Sequence, residues 1–253
     1  MGSSPFEGLP FSNLDSVLGV GLFDGFDSGA RTRLLWKLRR IFILPPRPAV
    51  LTYHNDSNRT GMNDREDFLV ASEVKGKGLK FARAVDLGGD AGDDIYTQIL
   101  YVPGLKVGNT MRDVGFVGTT SNRLIGFDVN SGEVVINPPA FKDFETNSPR
   151  QVPNGIRGTP VIDSQRKTMY FVFGDRKEQD ILVETDVAFW LVAWDLEGNK
   201  ERAHVKLAGS YPRSDRTSVS FEANQQGQRA ALLLTGGVVH VAFAMRPPET
   251  DVR

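Results

Sequence analysis

Residues with the chemistry to act as catalysts or ligands are few in this chain and widely spaced. Its three histidines, His54, His204 and His240, form no HExxH-type pair that would bring two imidazoles to one metal ion. His54 has the most polar setting, in the segment HNDSNRTG with Asn55, Asp56, Asn58 and Arg59. Side chains of this kind bond nearby backbone, so the segment is expected to fold into a local polar network. His240 is expected to face one side of a strand. The stretch DLGGDAGDD at 86–94 sets oxygen ligands on a Gly-rich loop, a chemistry that suits calcium. It lacks the ligand spacing and distal glutamate of an EF-hand and reads as a solvated acidic loop, so no metal site is assigned to it. There is no GxSxG elbow, no GxxxxGK[ST] loop and no GxGxxG after a strand. Hydrolase, nucleotide-triphosphate and dinucleotide chemistries therefore have no foothold, and no catalytic or cofactor-binding residue is assigned.

Composition narrows the field further. Cysteine is absent, which removes disulfides, thiolate metal sites and thiol redox chemistry. Thirty Lys plus Arg against 31 Asp plus Glu give a net charge of -1, so no overall field draws in polyanions and nucleic acid is not an expected partner. No run approaches the roughly 18 to 20 apolar residues of a membrane-spanning helix, and the first residues do not read as a secretory leader. Asn55 and Asn58 satisfy the Asn-x-Ser/Thr acceptor rule, which has force only in an exported chain.

The elements that would position these groups fall into three parts: a tail over 1–48, a β-rich body over 49–245 and a tail over 246–253. Within the first part, RTRLLWKLRRIFI at 31–43 places Leu34, Leu35, Leu38, Ile41 and Phe42 on one helical face, with Arg33, Lys37, Arg39 and Arg40 mostly off it. This basic amphipathic helix ends at Pro45 and Pro46. Packing against its own domain, contact with an anionic membrane surface and binding in a partner's groove are all open to it. After Val50, strand-sized apolar segments alternate with turn signals. Strands are expected at 79–87, 95–102, 113–118, 124–128, 133–136, 159–162, 168–174, 188–195, 203–207, 230–234 and 238–244. NSG at 130–132, EGN at 197–199 and TGG at 235–237 read as short connections between antiparallel neighbours.

One internal echo organises the body. RLIGFDVNSGEVV at 123–135 recurs loosely as WLVAWDLEGNKER at 190–202. Both read apolar strand, aromatic, Asp, turn with Gly. The carboxylates of Asp128 and Asp195 are expected to accept the turn amides, while Gly132 and Gly198 take the positive φ of the reversal.

IGFDVNSG at 125–132 resembles the repeat of quinoprotein dehydrogenase-like β-propellers. VAWDLEGN departs from it by losing the Ser or Thr and one residue, and neither copy has the Trp that docks adjacent blades in the enzymes of that family. TYHNDSNRTGMN at 52–63, IYTQILYVPGL at 95–105, IRGTPVID at 156–163 and NQQGQRAALLLTGGVVHVAFA at 224–244 are similar, in order, to further segments of such proteins. The resemblance implies an all-β, incomplete β-propeller of four-stranded antiparallel blades, one over 95–136, one over 159–207 and two strands of a third over 230–244. The 79–87 segment resembles an outer strand of an adjoining blade.

About two and a half blades cannot close a ring that usually needs four to eight, and truncation within a blade is expected where the pattern gives way to MRPPETDVR. Open blade faces imply self-association. The family's enzymes hold a quinone and calcium on the ring axis, whereas no Glu, Asn and Asp set here matches their calcium ligands and the adjacent cysteine pair of many of them is missing. The resemblance therefore implies a non-catalytic scaffold presenting loops for interaction. The alternative is an oxidoreductase dependent on pyrroloquinoline quinone, with its ring completed by other chains or further sequence.

Overall fold

Two runs of alternating apolar residues, at 100–136 and 161–206, build the body of the protein as antiparallel sheets. The computed structural model describes residues 48–63, 71–145, 151–177 and 187–245, all belonging to the compact unit Pro48–Arg253. The helix expected at 31–43 and the tail expected at 246–253 lie outside the described residues. The described part begins with a bridge at Val50 and a short helix, α1 (Ala71–Lys77). Strands β1 (Leu100–Val107), β2 (Thr110–Gly118), β3 (Leu124–Asp128) and β4 (Val134–Ile136) then form a four-stranded sheet in chain order.

A second sheet follows. Strands β5 (Gln151–Gly155) and β6 (Val161–Asp163) pair with different halves of β7 (Thr168–Lys177), which pairs with β8 (Val187–Asp195), which pairs with β9 (Lys200–Lys206). Three small antiparallel pairs complete the described residues. They are β10 (Ser210–Pro212) with β11 (Ser218–Ser220), β12 (Gln226–Gly227) with β15 (Ala244–Met245), and β13 (Leu233–Thr235) with β14 (Val238–His240). The protein is all-β, in several antiparallel sheets, none closed on itself.

Period-two alternation decides which sheet faces which. Met169, Phe171 and Phe173 of β7 and Trp190, Val192 and Trp194 of β8 share one core with Leu100, Val114, Phe116 and Leu124 of the first sheet. The residues between them, Val172, Val187 and Phe189, join a second core with Leu232 and, partly buried, Leu234 and Val239. Both faces of the second sheet are therefore covered, which is why β8 reads VAFWLVAW with no polar alternation. The far face of the first sheet, Val117, Ile125 and Phe127, packs against Val85 and Leu87. β9 is the outer edge of its sheet and carries Lys200, Glu201, Arg202, His204 and Lys206 along an exposed strand.

The sequence echo is a structural repeat. β3 and β8 hold the third place in their sheets when β6 is counted as the first strand of the second, and both end in an aspartate turn. Asp128 Oδ1 accepts the amides of Asn130 (2.8 Å) and Ser131 (3.0 Å), and Asp195 Oδ1 accepts those of Glu197 (3.1 Å) and Gly198 (3.0 Å). In each case the register to the fourth strand slips by one residue at the same place, between Gly126 and Phe127 and between Ala193 and Trp194. Such a bulge adds twist to the outer strand.

A third copy of the turn stands at Asp163, whose Oδ1 accepts from Gln165 and Arg166 at 3.0 Å each. The left-handed residue is the fourth after the aspartate in all three: Gly132 at φ 81°, Lys167 at 51° and Asn199 at 46°. Gly198 is thus not the positive-φ position expected of it. A Cβ there would lie 2.8 Å from Asp195 Oδ2, so glycine serves close approach.

Several strand expectations are corrected. No strand forms at 79–87; that segment lies on the first sheet's far face through Val85 and Leu87, with Arg123 bonding Leu87 O (2.7 Å) and Gly88 O (2.8 Å). The strand expected at 95–102 starts instead at Leu100, Ile95 contributing an isolated bridge, and runs to Val107 past Pro103 through a bulge closed by Gly104 N to Asp113 Oδ1 at 3.0 Å. The apolar run over 230–244 makes a three-residue hairpin, with Gly236 and Gly237 as the two-residue loop.

Candidate functional site

The first strands of successive sheets meet along one edge, and polar groups concentrate there. Val50 exchanges two backbone bonds with Tyr101 of β1 (2.9 and 2.8 Å), and Leu51 O accepts Ile162 N of β6 at 2.8 Å, so the entry segment straps the two sheets together. Just before β1, Gln98 N donates to Thr159 Oγ1 (2.9 Å); just before β13, Leu232 N donates to Thr159 O (3.0 Å). Thr97 Oγ1 bonds both the N (3.0 Å) and the O (3.2 Å) of Gly118. A chain of short bonds therefore crosses three layers at Gln98, Thr159 and Leu232.

Above this edge the 52–61 segment forms the polar network expected around His54. His54 N donates to Gln98 Oε1 at 3.1 Å, and its Nδ1 lies 3.3 Å from Arg59 O. The Arg59 guanidinium donates to Thr52 Oγ1 (3.1 Å), Tyr53 O (2.8 Å) and Leu232 O (2.8 Å), tying the segment to the third layer. Thr60 Oγ1 bonds Asp56, and that hydroxyl holds the Asp56 carboxyl below its ordinary range. His54, Asn55 and Arg59 all have positive φ (57°, 69° and 59°), a concentration of backbone strain in a non-glycine stretch. The Tyr53 ring stacks on His54 at 4.0 Å, and Arg229 lies 4.6 Å over the Tyr96 ring.

Two polar atoms near this edge lack a hydrogen-bond partner, Gln228 Oε1 and Arg157 Nε. Gln228 is 5% exposed; its Nε2 donates to Ala230 O at 2.7 Å. A Cβ on Gly158 would come within 2.5 Å of both Gln228 Oε1 and Ala230 O, so the layers can approach only because residue 158 is glycine.

The opposite side of the stack is joined differently. The linker after β4 inserts Phe141 among Phe171, Phe173 and Trp194 and sets Phe144 against Phe173, Trp190 and His204. The linker is pinned by Asp143 N to Asp175 Oδ2 (2.7 Å), by Asn122 through the N and O of Phe141, and by Lys206 to Glu145 (2.5 Å). Burial raises the Asp175 carboxyl above its ordinary value, against the opposing pull of the hydrogen bonds it accepts from the Asp143 and Arg176 amides.

The acidic loop is also structurally committed. Asp93 pairs with Arg123 (2.9 Å) and accepts Ser121 N (2.9 Å); although burial opposes it, hydrogen bonding leaves this carboxyl below its ordinary range. Asp94 and Thr120 bond through N to Oγ1 (2.8 Å) and O to N (2.9 Å). Among the described residues no group of three His, Asp or Glu could hold a metal ion, and the three histidines stay apart. His204 stacks on Phe144 and pairs with Glu201 at 2.6 Å, while His240 is exposed on β14. No helix among the described residues is long and apolar enough to cross a membrane.

No family model, curated protein or solved structure matches the chain.

Sequence reasoning found the His54 segment by its density of Asn, Asp and Arg. It missed the Gln98–Thr159–Leu232 line, for which IRGTP was the available signal, and the linker aromatics, for which the signal was two Phe three residues apart after a Pro pair.

Proposed function

We propose that the chain is a non-catalytic, propeller-type scaffold: an arc of one four-stranded blade, a second in which β5 adds a fifth strand to the expected four, and a partial third, presenting loops for interaction. The observation that carries this reading is the repeat of the bulge, one residue for one residue, in two stacked sheets whose third strands end in the same aspartate turn. Bonding of the first-strand edges through Val50, Leu51 and Thr159, with aromatic residues of the linker after β4 packed on the second sheet, supports a radial arrangement of the blades. Phe141 and Phe144 take the place of the docking Trp that the repeat lacks. At the inner edge the polar groups serve the fold: Arg59 bonds three acceptors and Thr159 bridges two layers.

The test is a titration of the full chain with pyrroloquinoline quinone and calcium, followed by quenching of Trp190 and Trp194 fluorescence and by dye reduction. A scaffold gives no saturable quenching and no reduction. Saturable quinone binding with dye reduction would replace this reading by that of an oxidoreductase.

A further inference from the structure

The segment from α1 to the first sheet's far face is anchored at one end only. α1 stops at Gly78, whose left-handed backbone (φ 68°) lets its N bond Val74 O at 2.9 Å, and the chain then runs on without pairing as a strand. Its later half is fixed to the body: Val85 and Leu87 pack with Val117, Ile125 and Phe127, and a Cβ on Gly132 would lie 3.4 Å from Arg83 Cδ. Its earlier half is not. A Cβ on Gly76 or Gly78 would meet nothing within 4 Å, and Leu79 and Phe81 are 76% and 85% exposed. Residues 75–81 thus stand clear of the sheet beyond Arg83.

Charge gives this overhang a sign. Residues 74–85 read VKGKGLKFARAV, in which Lys75, Lys77, Lys80 and Arg83 against no Asp or Glu give +4, on a chain whose net charge is -1. All four cations are exposed. The acids that follow are engaged elsewhere: Asp86 accepts Gly88 N at 2.9 Å, and Asp93 pairs with Arg123 at 2.9 Å. Large apolar side chains interleaved with cations match a partner with an apolar layer beneath an anionic one. At their exposure Leu79 and Phe81 wall no groove for a peptide, and only Phe81 has a ring on which a nucleic-acid base could stack.

We propose that this overhang docks the protein on an anionic lipid surface. Leu79 and Phe81 enter the acyl boundary, and Lys75, Lys77, Lys80 and Arg83 meet the headgroups. Two apolar side chains and four cations make the contact weak and reversible, with neither part sufficient alone. It does not depend on the scaffold reading, and it uses a different segment from the basic helix expected at 31–43.

Flotation of the full chain with vesicles tests it. The protein should float with an equal mixture of phosphatidylcholine and phosphatidylserine but not with phosphatidylcholine alone, and raising ionic strength from about 0.05 to about 0.5 M should weaken binding about tenfold. K75Q/K80Q should weaken it about tenfold or more, since each cation at an anionic surface contributes about fivefold. L79S/F81S should weaken it about tenfold or more through lost apolar burial. F81W keeps a large apolar ring and should bind as the wild type does, its added tryptophan emission moving to the blue on the mixed vesicles. All the substituted side chains are exposed, so circular dichroism should be unchanged in every variant. A wild-type chain that does not float, F81W emission that vesicles leave unmoved, or either double variant floating as the wild type does would each overturn the proposal. An RNA oligonucleotide bound saturably by the wild type and not by K75Q/K80Q, without flotation, would replace the lipid surface by nucleic acid.

Discussion

A single carboxylate oxygen at Asp128, Asp163 or Asp195 satisfies two turn amides, and the second oxygen pairs with an arginine: Arg112 (3.2 Å), Arg166 (2.7 Å) or Arg202 (3.0 Å). All three carboxyls are held below the ordinary value, chiefly by the turn amides of Ser131, Arg166 and Gly198 respectively. A depressed folded-state value means stability that is present above the unfolded carboxyl value of about 4 and lost as pH falls through the folded one. Stability measured by urea unfolding should therefore decline from about pH 4 downward. Asp128→Ala should cost about 1–2 kcal/mol at neutral pH and flatten that decline. Asp175 has the opposite sign. Its folded value is raised by burial at 3% exposure, so its contribution is full at low pH and fades as pH rises through that value. Asp175→Asn should gain stability relative to the wild type as pH rises from 4 to about 7, read from the same unfolding curves.

Between layers, stability depends on a few close contacts. Phe141→Ala opens a gap among Phe171, Phe173 and Trp194 and should cost about 3–5 kcal/mol, with a shift in tryptophan emission. Gly158→Ala forces a Cβ against Ala230 O and should cost about 1–3 kcal/mol by thermal unfolding. The elements best legible in the sequence were those with clean alternation between turn signals: β2, β3, β7 and β8 begin within three residues of the expected positions. β5 was invisible because Pro153, Asn154 and Gly155 carry no strand preference; pairing with the second half of β7 makes it a strand. β10 and β11 are three residues each, with a single Tyr211 or Val219 among serines and a proline, and 79–87 has the right alternation but no strand beside it among the described residues. The Asp163 turn escaped notice because Lys167, not a glycine, holds its left-handed position. At the candidate site, local polarity at 54–60 was readable, whereas Gln98, Thr159 and Leu232 are far apart in the chain and only the stacking of sheets joins them.

For the molecule as a whole, layering determines what can be removed without loss of the core. The β10–β11 hairpin begins and ends at residues already bonded to each other, Gly209 and Phe221. Joining these two directly should leave far-ultraviolet circular dichroism and thermal midpoint nearly unchanged. A large fall in midpoint would instead make the hairpin part of the folding unit. The charges along β9 bear on crowded or prolonged storage. An unpaired strand edge is where foreign backbone adds and cross-β growth is seeded. Here that edge presents Lys200, Glu201, Arg202 and Lys206 to any incoming copy, and β4 offers three residues at most. Concentrated solutions should consequently stay negative to thioflavin dyes, and any turbidity they develop should dissolve on dilution.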